Sequence, residues 1–168
     1  MFLRCLCILL IAAVLKAEAP VADAAKQRDS AALNALLKAG ASVNSAQNDG
    51  ATALHWAAHW NDTEMVKILL AAGARANAAD KGGVTPLSLA SINANARIVQ
   101  ALLDAGANAN ARQSNGETAL MTAARTGSTE VIGLLLARGA EINAKEDSRG
   151  QSALSGRPRN ITRTSFAC

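Results

Sequence analysis

Residues 52–60 read Thr-Ala-Leu-His-Trp-Ala-Ala-His-Trp and hold both histidines and both tryptophans of a chain with no tyrosine and two phenylalanines. Such a concentration marks either a metal or ligand site or one copy of a structural repeat. Comparing the chain with itself at fixed spacing separates the two. Thirty-three residues on stands TPLSLAS (85–91), and the same step again reaches TALMTAA (118–124). Gly40, Gly73, Gly106 and Gly139 keep the interval, as do Ala41, Ala74, Ala107 and Ala140, and Asn44, Asn77, Asn110 and Asn143. The pairs Leu36-Leu37, Leu69-Leu70, Leu102-Leu103 and Leu135-Leu136 follow it too. Agreement at this many positions over four copies is a repeat.

One unit can be read physically. Thr52, Thr85 and Thr118 suit a helix N-cap, whose loss costs about 1 kcal/mol. Pro86 stands at the first helical position, where its fixed φ is tolerated. The spacing predicts a short helix to about Trp60, Asn93 or Thr126, a break, then a second helix with apolar residues at helical spacing, as in Met65, Val66, Ile68, Leu69 and Leu70. Each second helix stops at its glycine, in a left-handed conformation that costs other residues about 1–2 kcal/mol. Neither helix buries its apolar stripe alone, so consecutive pairs must stack into an elongated core.

These residues resemble the ankyrin repeat family, whose helix-loop-helix unit opens with a Thr-Pro-Leu-His motif and ends in a Gly-Ala-Asp-Val-Asn type turn. The counterparts are Thr52-Ala53-Leu54-His55 with Gly73-Ala74-Arg75-Ala76-Asn77, and Thr85-Pro86-Leu87-Ser88 with Gly106-Ala107-Asn108-Ala109-Asn110. TALHWAA is also similar to repeats of exported bacterial ankyrin proteins. The resemblance covers about residues 20–155 and implies an all-α solenoid: a capping repeat at 20–46, repeats at 47–79, 80–112 and 113–145, and the start of a fifth at 146–154. It implies that His55 braces the turns between repeats and that Trp56, whose counterparts are Leu89 and Thr122, packs between repeats.

Residues 1–19 read as a secretory signal peptide: Arg4, an apolar run from Cys5 to Leu15, then Ala17 and Ala19. The run is too short to span a bilayer. Cleavage after Ala17 is expected, because cleavage after Ala19 would leave Pro20 first; an uncleaved anchor is the alternative. A periplasmic or secreted location follows. Cys5 and Cys7 lie in that segment and Cys168 is the last residue, leaving no internal cysteine pair for a disulfide, a thiol nucleophile or a zinc site. The net charge of +4 belongs mostly to the ends: residues 20–145 carry eleven lysines and arginines against ten acids. No basic face with stacking aromatics marks a nucleic-acid surface.

His55 and His59 are spaced as two zinc ligands on one helix, but Trp56 replaces the metalloprotease glutamate and no third histidine exists. Ser152-Ala153-Leu154-Ser155-Gly156 lacks a downstream histidine for a serine hydrolase, and Lys81-Gly82-Gly83-Val84-Thr85 is a repeat turn, not a phosphate loop. Asn61-Asp62-Thr63 and Asn160-Ile161-Thr162 match the glycosylation sequon, which matters only in a eukaryotic host. No enzyme activity, metal or cofactor is expected.

The resemblance implies protein binding through the turn tips and the exposed end of each first helix. Carried onto this chain, that strip is Lys26, Gln27, His59, Trp60, Ile92, Asn93, Arg125 and Thr126, with Asn48, Asp49, Lys81, Ser114 and Asn115 at the turns. Trp60 and Ile92 are the expected anchors; the bland alternative is that Trp60 only shields an edge of the stack. Two other roles compete: a chaperone-like or protective partner of an exported enzyme, and a truncated non-functional product. The fifth repeat starts one residue late, at Gly150 to Leu154, and then lacks its second helix. A shifted frame past Leu154 is compatible with a continued repeat, so residues 155–168 read as frameshifted or as a disordered extension. A monomer is expected, with association through the uncapped C-terminal repeat.

Overall fold

A computed structural model of the chain describes residues 19–147 and 150–154; the apolar leader and the tail from 155 lie outside the described residues. The described part holds eight helices: α1 (Pro20–Lys26), α2 (Ser30–Lys38), α3 (Ala53–His59), α4 (Thr63–Ala71), α5 (Pro86–Ile92), α6 (Ala96–Asp104), α7 (Ala119–Thr126) and α8 (Thr129–Ala137). Among the described residues there is no strand, only an isolated bridge between Arg112 and Thr118. The helices pair in chain order, and the pairs stack so that α1, α3, α5 and α7 form an inner row and α2, α4, α6 and α8 an outer one.

Local rules set each helix end. Thr85 and Thr118 accept from the backbone N–H of Ser88 and Met121 at 3.3 and 3.4 Å, as N-caps do. The outer helices are capped by residues the motif comparison did not single out: Asp29, Asp62, Asn95 and Ser128 accept from the third N–H of their helices. Outer helices end where expected. Gly40, Gly73, Gly106 and Gly139 have φ of 79, 84, 82 and 78°. Around Gly73 its own N–H donates to Leu70 O at 3.0 Å and the Ala74 N–H to Leu69 O at 2.9 Å, the paired bonds of a Schellman cap. The Leu-Leu-x-x-Gly-Ala pattern is thus one capping device repeated.

The inner helices end the same way without the glycines. Arg28, Asn61 and Ala94 take φ of 59, 59 and 53°, and only their fourth counterpart, Gly127, is glycine. Asp62 N–H donates to Ala57 O at 3.0 Å, closing the cap, and its side chain at once caps the next helix by accepting from Met65 N–H at 2.9 Å. Two residues therefore stop one helix and start another.

Packing follows from side-chain size. Leu33, Leu54, Met65, Leu69, Leu87, Ile98, Leu102, Leu120 and Leu135 are fully buried along one continuous core. Burying each contributes about 1.5–3 kcal/mol. Ala24-Ala25, Ala57-Ala58, Ala90-Ser91 and Ala123-Ala124 are buried on the inner row, where their small side chains let neighbouring helices pack more closely than the outer ones do.

Hairpin turns precede α3, α5 and α7 and dock on each other through single backbone bonds: Lys81 N–H to Asp49 O (2.9 Å), Ser114 N–H to Gly82 O (2.8 Å) and Asp147 N–H to Asn115 O (2.9 Å). The last hairpin is one residue longer. Gln47, Asp80 and Gln113 donate to a carbonyl four residues on, whereas Glu146 donates to Gln151 O, five on, at 2.9 Å.

Glycines that look alike in sequence are held for different reasons. A Cβ on Gly106 would meet nothing within 4 Å, so only its φ of +82° resists substitution. A Cβ on Gly83, at φ +73°, would lie 3.0 Å from Gln113 Cα and 3.1 Å from Ser114 N of the next hairpin. Gly106→Ala is expected to cost about 1–2 kcal/mol, and Gly83→Ala about 1–3 kcal/mol more through backbone displacement. Urea unfolding measures both; a larger loss at Gly106 would refute the close hairpin approach.

Candidate functional site

Three rows of side chains run across the inner face because the inner helices repeat in register. Asp23, Trp56, Leu89 and Thr122 form one; Lys26, His59, Ile92 and Arg125 the second; Gln27, Trp60, Asn93 and Thr126 the third. The sequence-derived strip supplied the second and third rows, all exposed. Its hairpin members Asn48, Asp49, Lys81, Ser114 and Asn115 are exposed too, but several are committed to the stack. Asp49 O and Asn115 O accept the bonds between hairpins, while the Asp49 and Asn115 side chains close their own turns onto Ala51 N–H and Glu117 N–H at 2.9 and 3.0 Å.

The end of α3 carries an aromatic cluster. Trp56 and Trp60 are stacked, with centroids 6.4 Å apart, and the His59 ring sits edge-on to both, at 5.8 and 4.8 Å. Lys26 Nζ lies 4.9 Å above the Trp56 ring, and the Arg28 guanidinium 5.8 Å above Trp60. The motif comparison left out Arg28 and placed Trp56 in packing. Trp56 is half-buried and packs against the core, yet its indole also faces this cluster and its Nε1 donates to Gln47 Oε1 at 2.8 Å. The signal was present in the spacing, since positions four apart share a helix face.

Trp60 does more than present an aromatic surface. Its Nε1 donates to Lys26 O at 3.1 Å, and at the equivalent place in the next unit Asn93 Nδ2 donates to Ala58 O and His59 O at 2.9 and 3.1 Å. Both bond to carbonyls at the end of the preceding inner helix, where Ala58 O also accepts from the Asn61 N–H at 3.2 Å. Thr126 instead bonds within its own helix, to Ala123 O at 3.0 Å. Ile92, 51 % exposed, has no such structural duty, and Trp60 remains 38 % exposed despite its bond. Arg125 is paired with Glu117, which also accepts from Thr122 Oγ1 at 2.9 Å.

His55 and His59 do not converge. His55 is buried; Thr52 N–H donates to its Nδ1 at 3.1 Å, the Thr52 hydroxyl is 2.9 Å from the same nitrogen, and Nε2 is 3.0 Å from Val84 O of the next hairpin. A backbone N–H can only donate and a carbonyl only accept, so the ring is neutral with its proton on Nε2. Both nitrogens are used, leaving none for a metal. Among the described residues no group of three or more histidine, cysteine or acidic side chains is placed to hold a metal ion, and no helix is long and apolar enough to cross a membrane.

Burial holds the His55 pKa below the ordinary 6.5, against the opposing pull of the Val84 carbonyl and the carboxylates of Asp80 and Asp49. The neutral ring is the form that the fold prefers. Below pH 6.5 the unfolded chain takes up a proton that the folded ring resists, so this contribution is full above 6.5 and declines as pH falls toward the lower folded pKa. Replacing His55 by Ala is expected to cost about 2–4 kcal/mol at pH 7.5, through lost bonds and a cavity. The gap between the two proteins in urea should narrow at pH 5. A gap independent of pH would contradict the assigned proton.

A family profile described as ankyrin repeats in three copies matches residues 21–113 and again 93–155. No curated protein matches the chain. With most of its length matched and its helix pairs stacked in the same interval, the chain belongs to the ankyrin repeat family, whose members generally mediate protein–protein interaction.

Proposed function

We propose that the chain is an exported module that binds a protein partner through its concave inner face and hairpin tips. The observation that carries this reading is the pairing of exposed Trp60 and Ile92 at the ends of α3 and α5. An aromatic side chain on one unit and an aliphatic one on the next are both left in solvent, where partner binding would desolvate both. Lys26, Gln27, His59, Asn93, Arg125 and Thr126 surround them, and Asn48, Asp49, Lys81, Ser114 and Asn115 extend the surface to the hairpins. Family membership supports a role in binding without chemistry. Export rests on the apolar leader.

A second contact surface is supported at the C-terminal end of the stack. Val43, Ala76 and Ala109 are 9, 6 and 5 % exposed beneath their following units, while Ile142, their counterpart, is 38 % exposed beside Leu136 and Leu154. These three, with Leu120, Ala124, Ile132 and Ala153, line a shallow apolar hollow. The reading is a monomer when dilute, associating through this end as concentration rises.

Affinity capture from the exported fraction tests the main reading. Ile92→Asp should abolish capture of the partner without moving the melting temperature. Trp60→Ala should weaken capture and cost about 1 kcal/mol of stability through its lost bond to Lys26 O. Full capture by both variants would overturn the concave site. Export has its own test: the protein recovered outside the cytoplasm should begin at Glu18, and recovery only of intact chain starting at Met1 from the cytoplasm would refute it.

A further inference from the structure

We infer that the segment seated on the concave face carries a carboxylate next to an apolar side chain, the carboxylate on Lys26 and Arg28 and the apolar group on Trp60 and Ile92. This rests on the concave reading above and adds the chemistry of what fills it.

The asymmetry of charge along the face carries the argument. Lys26 and Arg28 project at the α1 end, each over an indole ring and neither paired with a carboxylate among the described residues. The acids nearest in sequence are already engaged: Asp23 accepts from Gln47 Nε2, and Asp29 caps α2 by accepting from Ala32 N–H at 2.8 Å. At the far end Arg125 is neutralised by Glu117. The face is therefore cationic at one end only. Between the ends, the Asn93 amide is spent on the carbonyls of α3, leaving exposed Trp60 and Ile92 as apolar surface.

A cation held over an aromatic face keeps its outer side open, so a carboxylate can approach it without displacing the indole. A cationic or wholly apolar segment would leave these charges opposed or unmatched under the partner. The acidic group of the occupant thus lies over the first helix pair and its apolar group over the second and third.

Peptides selected from a displayed random library on the immobilised full chain test this. Enriched sequences should carry Asp or Glu within about three residues of an aromatic or aliphatic residue, since about three extended residues cover the one inner-helix spacing that separates the α1 end from the Trp60 unit. The Kd of such a peptide should weaken about tenfold in Lys26→Glu/Arg28→Glu, recover when the peptide acid is changed to lysine, and stay within about twofold in Arg97→Gln, which removes an exposed cation from outer helix α6. Peptides that lose binding in Ile92→Asp but ignore Lys26→Glu/Arg28→Glu would overturn the charge inference and leave the concave site standing. Peptides indifferent to both, or no enrichment over a blank support, would overturn the inference, and the indifferent peptides would remove the concave site with it.

Discussion

Every second unit of structure in this chain depends on one backbone constraint: each helix must stop within one residue and reverse. A left-handed residue does this, because it turns the chain while two amide bonds close back on the last turn. The outer helices use Gly40, Gly73, Gly106 and Gly139, and the inner helices use Arg28, Asn61, Ala94 and Gly127 at similar φ. The three non-glycine residues carry a cost that glycine would not. It is offset where the next residue caps the following helix, as Asp62 does for α4.

Because the four outer reversals close with the same pair of bonds, one side chain can serve every junction. Asn44, Asn77 and Asn110 each reach forward to the next unit. Their Nδ2 donates to Gly73, Gly106 and Gly139 carbonyls at 3.0, 2.8 and 2.9 Å, and their Oδ1 accepts from the N–H of Arg75, Asn108 and Glu141 at 2.8, 2.7 and 2.7 Å. The left-handed glycine aims the carbonyl that the asparagine needs. His55 adds a brace of the same kind at one junction only, since Ser88 is too short to cross and Met121 has no polar atom to offer. Each bond joins nearest neighbours, so stability is a sum of local terms and the two ends of the stack differ in kind.

The interval made the fold legible because these devices depend on residue identity. Leu-Leu-x-x-Gly-Ala, the threonine caps and the asparagines are all written in the same letters each time. The inner reversals were legible only as breaks, since arginine, asparagine and alanine share no property that announces positive φ. Gly83 and Gly106 likewise look equivalent until the neighbouring hairpin is in place. In the candidate site, the repeat interval showed which positions share the inner face but divided the tryptophans too sharply. Trp56 reaches the surface cluster, and Trp60 braces Lys26 O, a backbone atom 34 residues away that no pattern of side chains reveals.

The positions that vary are those that the repeat does not need. Lys26, His59, Ile92 and Arg125 occupy one place in four units, with a cation in the first and last and a histidine and an aliphatic side chain between. Their Cα atoms are fixed by the caps and alanine pairs beneath, so substitution there alters the surface without disturbing the stack. The same separation explains why fold and partner are unequally readable. Caps, braces and core must satisfy this chain's own backbone, whereas the inner face must satisfy a surface outside it. Only its charge and polarity constrain that surface, and here they converge on the two unpaired cations above the tryptophans.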